Sequence, residues 1–304
     1  MEIQRRSNLS LKEFENEFVA KSQPVILTDA TAHWPARTKW NLDYFESRFD
    51  NKEVRFDSKP WKVGDLVRTL RTSDGTGNTP YLKMVKLDEQ FEELWDDIGQ
   101  HTLARNNRLG SKLLPPKMRI DKGIVAVFIG SKGSGFKVLH WDYTYLNVFI
   151  SQIFGDKDAI IFAPKDSPYL YPRASFDSNN SRITDPFNVD LEKFPDFKHA
   201  TPIHITIKQG ETLFLPGGWW HATNMNHPSI AIAESTLDRF NWNLRRDWYL
   251  RNQIEADVPK LRRDLLSFYM GVVDKILRFS EIKNYNENTV KLFSHKPQHT
   301  PAHS

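Results

Sequence analysis

The 304-residue chain contains no cysteine. That excludes a disulfide framework and a zinc ribbon, fits a reducing compartment, and leaves any metal site to His, Asp or Glu. Long apolar runs are missing too. The opening stretch MEIQRRSNLSLKEFENEF turns charged at once, and no later window approaches the length of a membrane span. The expectation is a soluble, unexported, cytoplasmic protein with no membrane partner. Neither sign of charge dominates, since 42 Lys/Arg stand against 38 Asp/Glu, for a net charge of +4 and a pI near 9.0. So even a balance disfavours nucleic acid as a partner. Two basic clusters, RNNRLGSKLLPPKMRIDK (105–122) and LRRDWYLRNQ (244–253), read as solvated faces, because no stacking aromatics interleave the first. What is present is a hydrophobic content of 39% with 12% aromatics, enough to bury a sizeable core.

Helix and strand signals alternate in the front third. Ser10 with Glu13 three residues on forms a capping box, and Phe14 and Phe18 share the face behind it. PVILTDA (24–30) reads as a buried strand, while WNLDYFESRF (40–49) and VGDLVRTLR (63–71) read as helices. KEVRF (52–56) and YLKMVKL (81–87) read as extended, and DEQFEELWDDIGQHTLA (88–104) as an acidic amphipathic helix. From residue 123 short β-rich runs take over: GIVAVFIGS, KVLHWDY, LNVFISQIFG, DAIIFAP, HITIKQG, TLFLPGGWWHATNM and SIAIAEST. Turn formers separate most of them, and many short strands without intervening helices predict a barrel or jelly roll. The long, turn-rich excursion over 164–202 reads as a functional loop above the barrel mouth. DVPKLRRDLLSFYMGVVDKILRF (257–279) sets Leu261, Leu265, Phe268, Val272 and Ile276 at three- and four-residue steps, an amphipathic helix. Packing of that face on its own barrel and a homodimer contact stand as equal readings. Beyond about 284 lies a polar tail whose Pro297 and Pro301 break the helix that would align His295, His299 and His303, so it is not read as a metal site.

The chemistry concentrates in VLHWDYTYLNVFISQIFGDKDAIIF (138–162). Side chains two apart on a strand share a face, so His140 and Asp142 project together while Trp141 faces away. FLPGGWWHATNM adds His221 after a Pro-Gly-Gly turn. Two imidazoles and one carboxylate suit non-haem Fe(II) and leave positions open for substrate and oxygen, although a His-X-Asp pair alone is weak evidence. Lys157 shares a face with Ala159 and Ile161, and a buried ammonium requires an anion. A dicarboxylate would place one end on the metal and the other on this lysine. Ala231, Ala233 and Ser235 also share a face, and their small size leaves room for a ligand.

The order LHWD, QIFGDK, YLYP, DLEKFPDF, QGETLFLPGGWWH, SIAIAEST resembles the jumonji C (JmjC) hydroxylases of the cupin superfamily, with factor inhibiting HIF and the JmjC lysyl hydroxylases as the most similar types. The likeness is dense from about 120 to 236 and extends weakly back to SQPVILTDATAHWPA. It implies a mainly β fold with flanking α: a double-stranded β-helix (jelly roll, cupin/JmjC) with N-terminal α/β elements and a C-terminal helix. The implied division is 1–110 for the N-terminal α/β elements packed on the core, 111–245 for the JmjC core, 246–283 for a C-terminal helical segment and 284–304 for the tail. The resemblance further implies a 2-oxoglutarate-dependent dioxygenase that uses Fe(II), O2 and 2-oxoglutarate as co-substrate, with ascorbate as the reductant in vitro. His140, Asp142 and His221 match the iron ligands. Lys157 matches the lysine that pairs with the distal carboxylate of 2-oxoglutarate, and Tyr81 the tyrosine that hydrogen-bonds it. Asn147 and Ser235 match polar positions near the co-substrate. Lys137 stands where relatives often carry a threonine, and Ala233 where some carry a hydroxyl, so the co-substrate contacts are expected to be rearranged.

The reaction implied is hydroxylation of a C–H bond, on a polypeptide side chain first and on a free amino acid or natural-product intermediate second. An RNA substrate ranks third. Demethylation is disfavoured, since the chain has no zinc or reader modules. Tyr169, Tyr171, Arg173, Trp219 and Trp220 stand as candidates for a substrate groove, with packing at the barrel rim favoured for the two tryptophans. The reading from another class is a non-catalytic metal-binding cupin that serves as an interaction module.

Overall fold

Residues 2–76, 79–99, 101–174 and 179–286 are described by a computed structural model of the chain. In chain order the elements are β1 (Arg5–Arg6), α1 (Leu11–Phe14), β2 (Val25–Leu27), α2 (Ala36–Lys39), α3 (Leu42–Phe49), β3 (Glu53–Phe56), β4 (Lys59–Lys62), α4 (Val63–Arg71), β5 (Leu82–Lys86) and α5 (Leu87–Gln90). There follow β6 (Ile124–Gly130), β7 (Asn147–Phe154), β8 (Lys157–Phe162), β9 (Ile203–Ile207), β10 (Thr212–Leu215), β11 (Trp220–Asn224) and β12 (Ser229–Thr236). Two helices close the described chain, α6 (Trp242–Glu255) and α7 (Lys260–Asn286). The capping box forms as the sequence predicts: Glu13 N donates to Ser10 Oγ at 3.2 Å and Ser10 N to the Glu13 carboxylate at 2.9 Å. A π turn over Glu15–Val19 then keeps Phe14 and Phe18 buried together against Phe149 and Phe214.

Seven strands make one sheet in the order β1-β2-β10-β7-β12-β6-β5, and three make a second in the order β11-β8-β9. Val148 and Ile150 on β7 and Leu213 and Leu215 on β10 meet Ala159 and Ile161 on β8 and Ile203, Ile205 and Ile207 on β9, which forms the core between the sheets. The alternate residues, Ile153, Ile230 and Ile232, face the opposite way and pack on Trp40, Phe45, Leu66, Leu70 and Phe91 from the N-terminal segment. With both faces covered, β7 and β10 are buried along nearly their whole length. The architecture is the jelly roll expected, mainly β with flanking helices and a C-terminal helix. The N-terminal segment does more than pack on it, because β1, β2 and β5 are strands of the large sheet.

Four expectations are corrected. The acidic helix over 88–104 stops at Gln90, where Phe91 takes φ −140° and ψ 47°, and only short 3-10 turns follow. Tertiary bonding overrides its periodicity: the buried Asp97 carboxylate accepts from Lys39 Nζ at 2.6 Å, Trp40 Nε1 at 3.0 Å and Tyr44 Oη, which folds the segment back onto α2 and α3. KVLHWDY is not a continuous strand, since His140 forms an isolated bridge to Asn180 and His221. The basic clusters are not simple solvated faces, because Leu109, Leu114 and Met118 are buried beside Trp242, and Arg245 is buried as well. On α7, Met270, Val273 and Leu277 dock on Leu109 and Trp242, whereas Leu261, Leu265, Phe268, Val272 and Ile276 are exposed. Those five therefore do not pack on their own barrel. The tail histidines lie outside the described residues.

Candidate active site

The turn Pro216-Gly217-Gly218 launches β11 and aims His221 into the barrel. A Cβ on Gly217 would meet the Tyr145 carbonyl oxygen at 2.2 Å, and Gly218 has φ +89°, so neither position takes a side chain cheaply. Trp219 and Trp220 then go to opposite sides, donating from Nε1 to Ser22 O at 3.0 Å and to Ser167 Oγ at 2.8 Å. Both are buried packing residues. His221 and His140 exchange backbone hydrogen bonds of 2.7 and 3.1 Å, which brings their ring centroids to 4.2 Å. The excursion over 164–202 splints the far side of this segment, with Leu139 N donating to Ile183 O and Trp141 N to Asn179 O.

Each ring is oriented by its own backbone. Nδ1–H of His140 donates to Val138 O at 2.8 Å and that of His221 to Trp219 O at 3.3 Å, leaving both Nε2 lone pairs for a ligand. Burial, aided by His221, pulls His140 down to about 3, and burial pulls His221 down to about 4, so both rings are neutral at pH 7. Asp142 is pushed up by burial to about 6 and remains mostly ionised there. Its Oδ2 lies 3.9 Å from His221 Nε2, and ligand atoms of all three residues fall within 4.8 Å of one another. This is a donor set of two neutral nitrogens and one anionic oxygen.

One residue beyond Asp142, after Tyr143, the chain turns through two residues in the left-handed region, Thr144 at φ 60° and Tyr145 at φ 57°. Non-glycine residues persist there only when neighbours hold them. Arg245, buried on α6, donates to Thr144 Oγ1 and to Met118 O (2.8 Å), Asn241 Nδ2 donates to Tyr145 O at 3.1 Å, and the Tyr145 ring stacks on Trp141 at 4.2 Å.

Lys157 opens β8 on the inner face, 3% exposed, with Nζ at 5.5 Å from the Phe128 ring centroid. Among the described residues no carboxylate pairs with it, and burial pulls it down to about 7. Tyr81 packs on the same Phe128 ring at 6.1 Å, is hydrogen-bonded with Thr223, and is pushed up by burial. Thr223 lies two residues after His221 on β11 and accepts from Phe136 N at 3.3 Å, while the Phe136 ring lies 4.2 Å from that of His140. The structure thus gathers His140, Asp142 and His221 in one cluster, and Lys157, Tyr81, Phe128 and Thr223 in an adjoining one.

The remaining expected residues lie outside these two clusters as described. Ser235 stands on the inner face of β12 with Ala231 and Ala233, half-buried. Lys137 is half-buried beside Phe136. Asn147 is committed elsewhere: its Oδ1 accepts from Gly217 N at 2.8 Å and its Nδ2 donates to Asp238 at 2.8 Å, so it braces the Gly-Gly turn. Thr223, Phe128 and Arg245 escaped the sequence reading. Strand parity with His221 was the signal available for Thr223; for the other two there was none.

Comparison with known proteins places the site in context. The Cupin-like domain family matches residues 11–234. Lysine-specific demethylase JMJ30 of Arabidopsis thaliana is 27% identical over 246 residues, 76% of this chain and 54% of that protein. Jumonji C domain-containing protein 5 of Drosophila melanogaster is 27% identical over 243 residues, 74% of this chain and 57% of the relative. Human bifunctional peptidase and (3S)-lysyl hydroxylase JMJD7 is 24% identical over 260 residues, 72% of this chain and 78% of that protein. This chain thus spans about half the length of the first two relatives.

Proposed function

The chain belongs to the Cupin-like domain family, with JmjC proteins as its relatives, and from that premise we propose that it is an Fe(II)- and 2-oxoglutarate-dependent oxygenase hydroxylating a C–H bond on a protein or peptide side chain. The observation that carries the reading is the buried Lys157 Nζ, with which no carboxylate among the described residues pairs, in the same barrel as the cluster of His140, Asp142 and His221. A buried cation with no counter-charge fits an anionic ligand, and the N,N,O donor set fits a ferrous ion that keeps open positions. His140, Asp142 and His221 would hold the metal. Lys157 would pair with the distal carboxylate of 2-oxoglutarate, and Tyr81 and Thr223 would hydrogen-bond it. When bound, the two would supply the oxidising power that inserts one oxygen atom of O2 into the substrate, with succinate and carbon dioxide as co-products.

The chain's own contribution is placement. Carbonyls of Val138 and Trp219 fix the imidazole tautomers, and the small side chains of Ala231, Ala233 and Ser235 share the face of β12 that looks toward the inter-sheet core. A polypeptide substrate is supported by the relative named a lysyl hydroxylase and by the exposure of Tyr169 and Arg173 on the excursion that splints the His140 segment. No helix among the described residues is long and apolar enough to cross a membrane, and an intracellular place of action belongs to the proposal.

The test incubates the whole chain with Fe(II), ascorbate and 2-oxoglutarate, in separate arms with peptide libraries and with free amino acids. Succinate release together with a gain of one oxygen on a peptide is the expected outcome. Gain of oxygen only on free amino acids would move the substrate class. Bound metal without any 2-oxoglutarate consumption would leave a binding module.

A further inference from the structure

The ladder that carries the metal ligands does not end at His140. His140 is hydrogen-bonded to His221 on one side and lies opposite Asn180 in an antiparallel bridge on the other. Pro172 bridges Ser181 in turn, with Arg173 N donating to Asn180 O at 3.0 Å and Arg182 N to Tyr171 O at 2.9 Å. Residues opposite each other across an antiparallel ladder share a face, so one row runs His221, His140, Asn180, Arg173, and the row beside it holds Arg182 and Tyr171. The other face is closed, since Leu139, Ser181 and Ile183 are buried. The ligand-bearing face opens to solvent at its far end, where Arg173 and Arg182 are exposed.

Two guanidiniums thus extend the metal-binding face outward. Arg173 Nε donates to Ser181 O at 3.3 Å and Arg182 lies 5.2 Å over the Tyr171 ring, but among the described residues neither has a carboxylate within ion-pairing distance. Acidic groups of the same excursion are engaged locally: Asp185 accepts from Phe187 N at 3.1 Å, Asp190 from Glu192 N at 3.0 Å and Asp196 from Tyr171 Oη at 3.2 Å. On the opposite flank of His140, Lys83 Nζ stands 5.7 Å from the Phe136 ring, which lies 4.2 Å from the His140 ring, and it pairs with the exposed Asp57 at 3.1 Å. The geometry points to an acidic peptide as the substrate class, with an Asp or Glu side chain of the substrate held by Arg173 and Arg182 while its reacting residue enters the metal cluster. This deepens the oxygenase reading and rests on it for the reaction itself. A guanidinium matches a carboxylate with two parallel hydrogen bonds. Two strand spacings separate the backbones of His140 and Arg173, roughly 10 Å, which about three residues of extended peptide span. The acidic residue therefore belongs about three positions from the one hydroxylated. RNA fits this surface less well, because the neighbouring aromatic, Tyr171, has its ring under Arg182 and its hydroxyl on Asp196, which leaves no free face for a base to stack on.

Short fluorescent peptide pools of acidic, neutral and basic composition, and a single-stranded RNA of equal length, are titrated into the whole chain with Mn(II) and 2-oxoglutarate present, and binding is read by anisotropy. The acidic pool is expected to bind at least about tenfold more tightly than the basic one and to weaken as salt is added. Reversing both charges, Arg173→Glu with Arg182→Glu, is expected to lose about tenfold for the acidic pool, whereas Arg173→Lys with Arg182→Lys stays within about threefold, each at an unchanged circular dichroism spectrum. Equal binding of the wild type to all pools, preference for the basic pool or for RNA, or a folded charge-reversed variant that binds as well as the wild type overturns the proposal. Binding needs no turnover, which separates the two readings. Acidic preference without 2-oxoglutarate consumption would sink the oxygenase reading alone, and oxygen gain on peptides irrespective of their charge would sink the acidic-substrate inference alone.

Discussion

Burial strips water from the Lys157 ammonium, and the Phe128 ring returns only part of that hydration, which is why the group sits near the point of losing its proton, at about 7. The unfolded chain holds this proton up to the ordinary lysine value of 10.5, so between about 7 and 10.5 it binds more protons than the folded chain. Stability contributed by this residue therefore rises with pH across that window, and its full cost is present below about 7. An anion in the pocket reverses the balance by favouring the charged form. We expect 2-oxoglutarate binding at pH 8 to take up a proton and to weaken as pH climbs above 7, read by calorimetry in buffers of different ionisation heat; binding with no proton uptake would remove Lys157 from the site. Lys157→Met should leave the ligand-free protein at least as stable. Its KM for 2-oxoglutarate should rise by at least about 100-fold, since removing one partner of a buried pair costs roughly 3–5 kcal/mol. At this scale Lys157 was legible, because strand parity places it with Ala159 on β8, whereas His140 and Asp142 meet although their segment is not a continuous strand. Asn147 was not: its polar type suggested a ligand contact, but its bonds to Gly217 and Asp238 depend on segments remote in the chain.

Elements explain how ligands stay aimed. The strained pair Thr144 and Tyr145 follows Asp142 after one residue, Tyr143, and each such residue stores about 1–3 kcal/mol that neighbours must offset. Arg245 on α6 is the buried brace of that turn. Arg245→Met is expected to lower stability by about 2–3 kcal/mol, the loss of charged hydrogen bonds to Thr144 and Met118. Affinity for Mn(II), used as a redox-silent probe, should fall about tenfold, measured by calorimetry on the folded variant; an unchanged metal affinity with lowered stability would make the brace structural alone. A different lesson comes from 88–104. Its acidic, helix-like period is real, but one carboxylate, Asp97, finds three donors, Lys39 on α2, Trp40 just after it and Tyr44 on α3, and those bonds outweigh the weak intrinsic preference of a short helix.

Across the molecule, one cluster joins the N-terminal segment to the barrel: Phe45, Leu66 and Phe91 pack on Val127, Ile153 and Ile232. With β1, β2 and β5 inside the large sheet, the front third is woven into the fold. Phe45→Ala should cost about 3–5 kcal/mol. Tryptophan fluorescence and far-UV circular dichroism should lose signal at one shared denaturant midpoint, lower than that of the wild type. Separate midpoints for the two probes would show that the segment unfolds apart from the barrel.

Composition and local period were sufficient for the jelly-roll class, the capping box of α1 and the inward lysine, since these follow from turn spacing and from which side chains lie two or three residues apart, whereas His221 joins His140 and Asp142 only across the fold. They could not say which apolar face of α7 docks, where the 88–104 segment breaks, or that Thr223 bonds Tyr81 and Phe128 packs against Lys157. Periodicity belongs to neighbours along the chain, whereas burial and hydrogen-bond partners belong to neighbours in space, and at these positions the second kind outweighs the first.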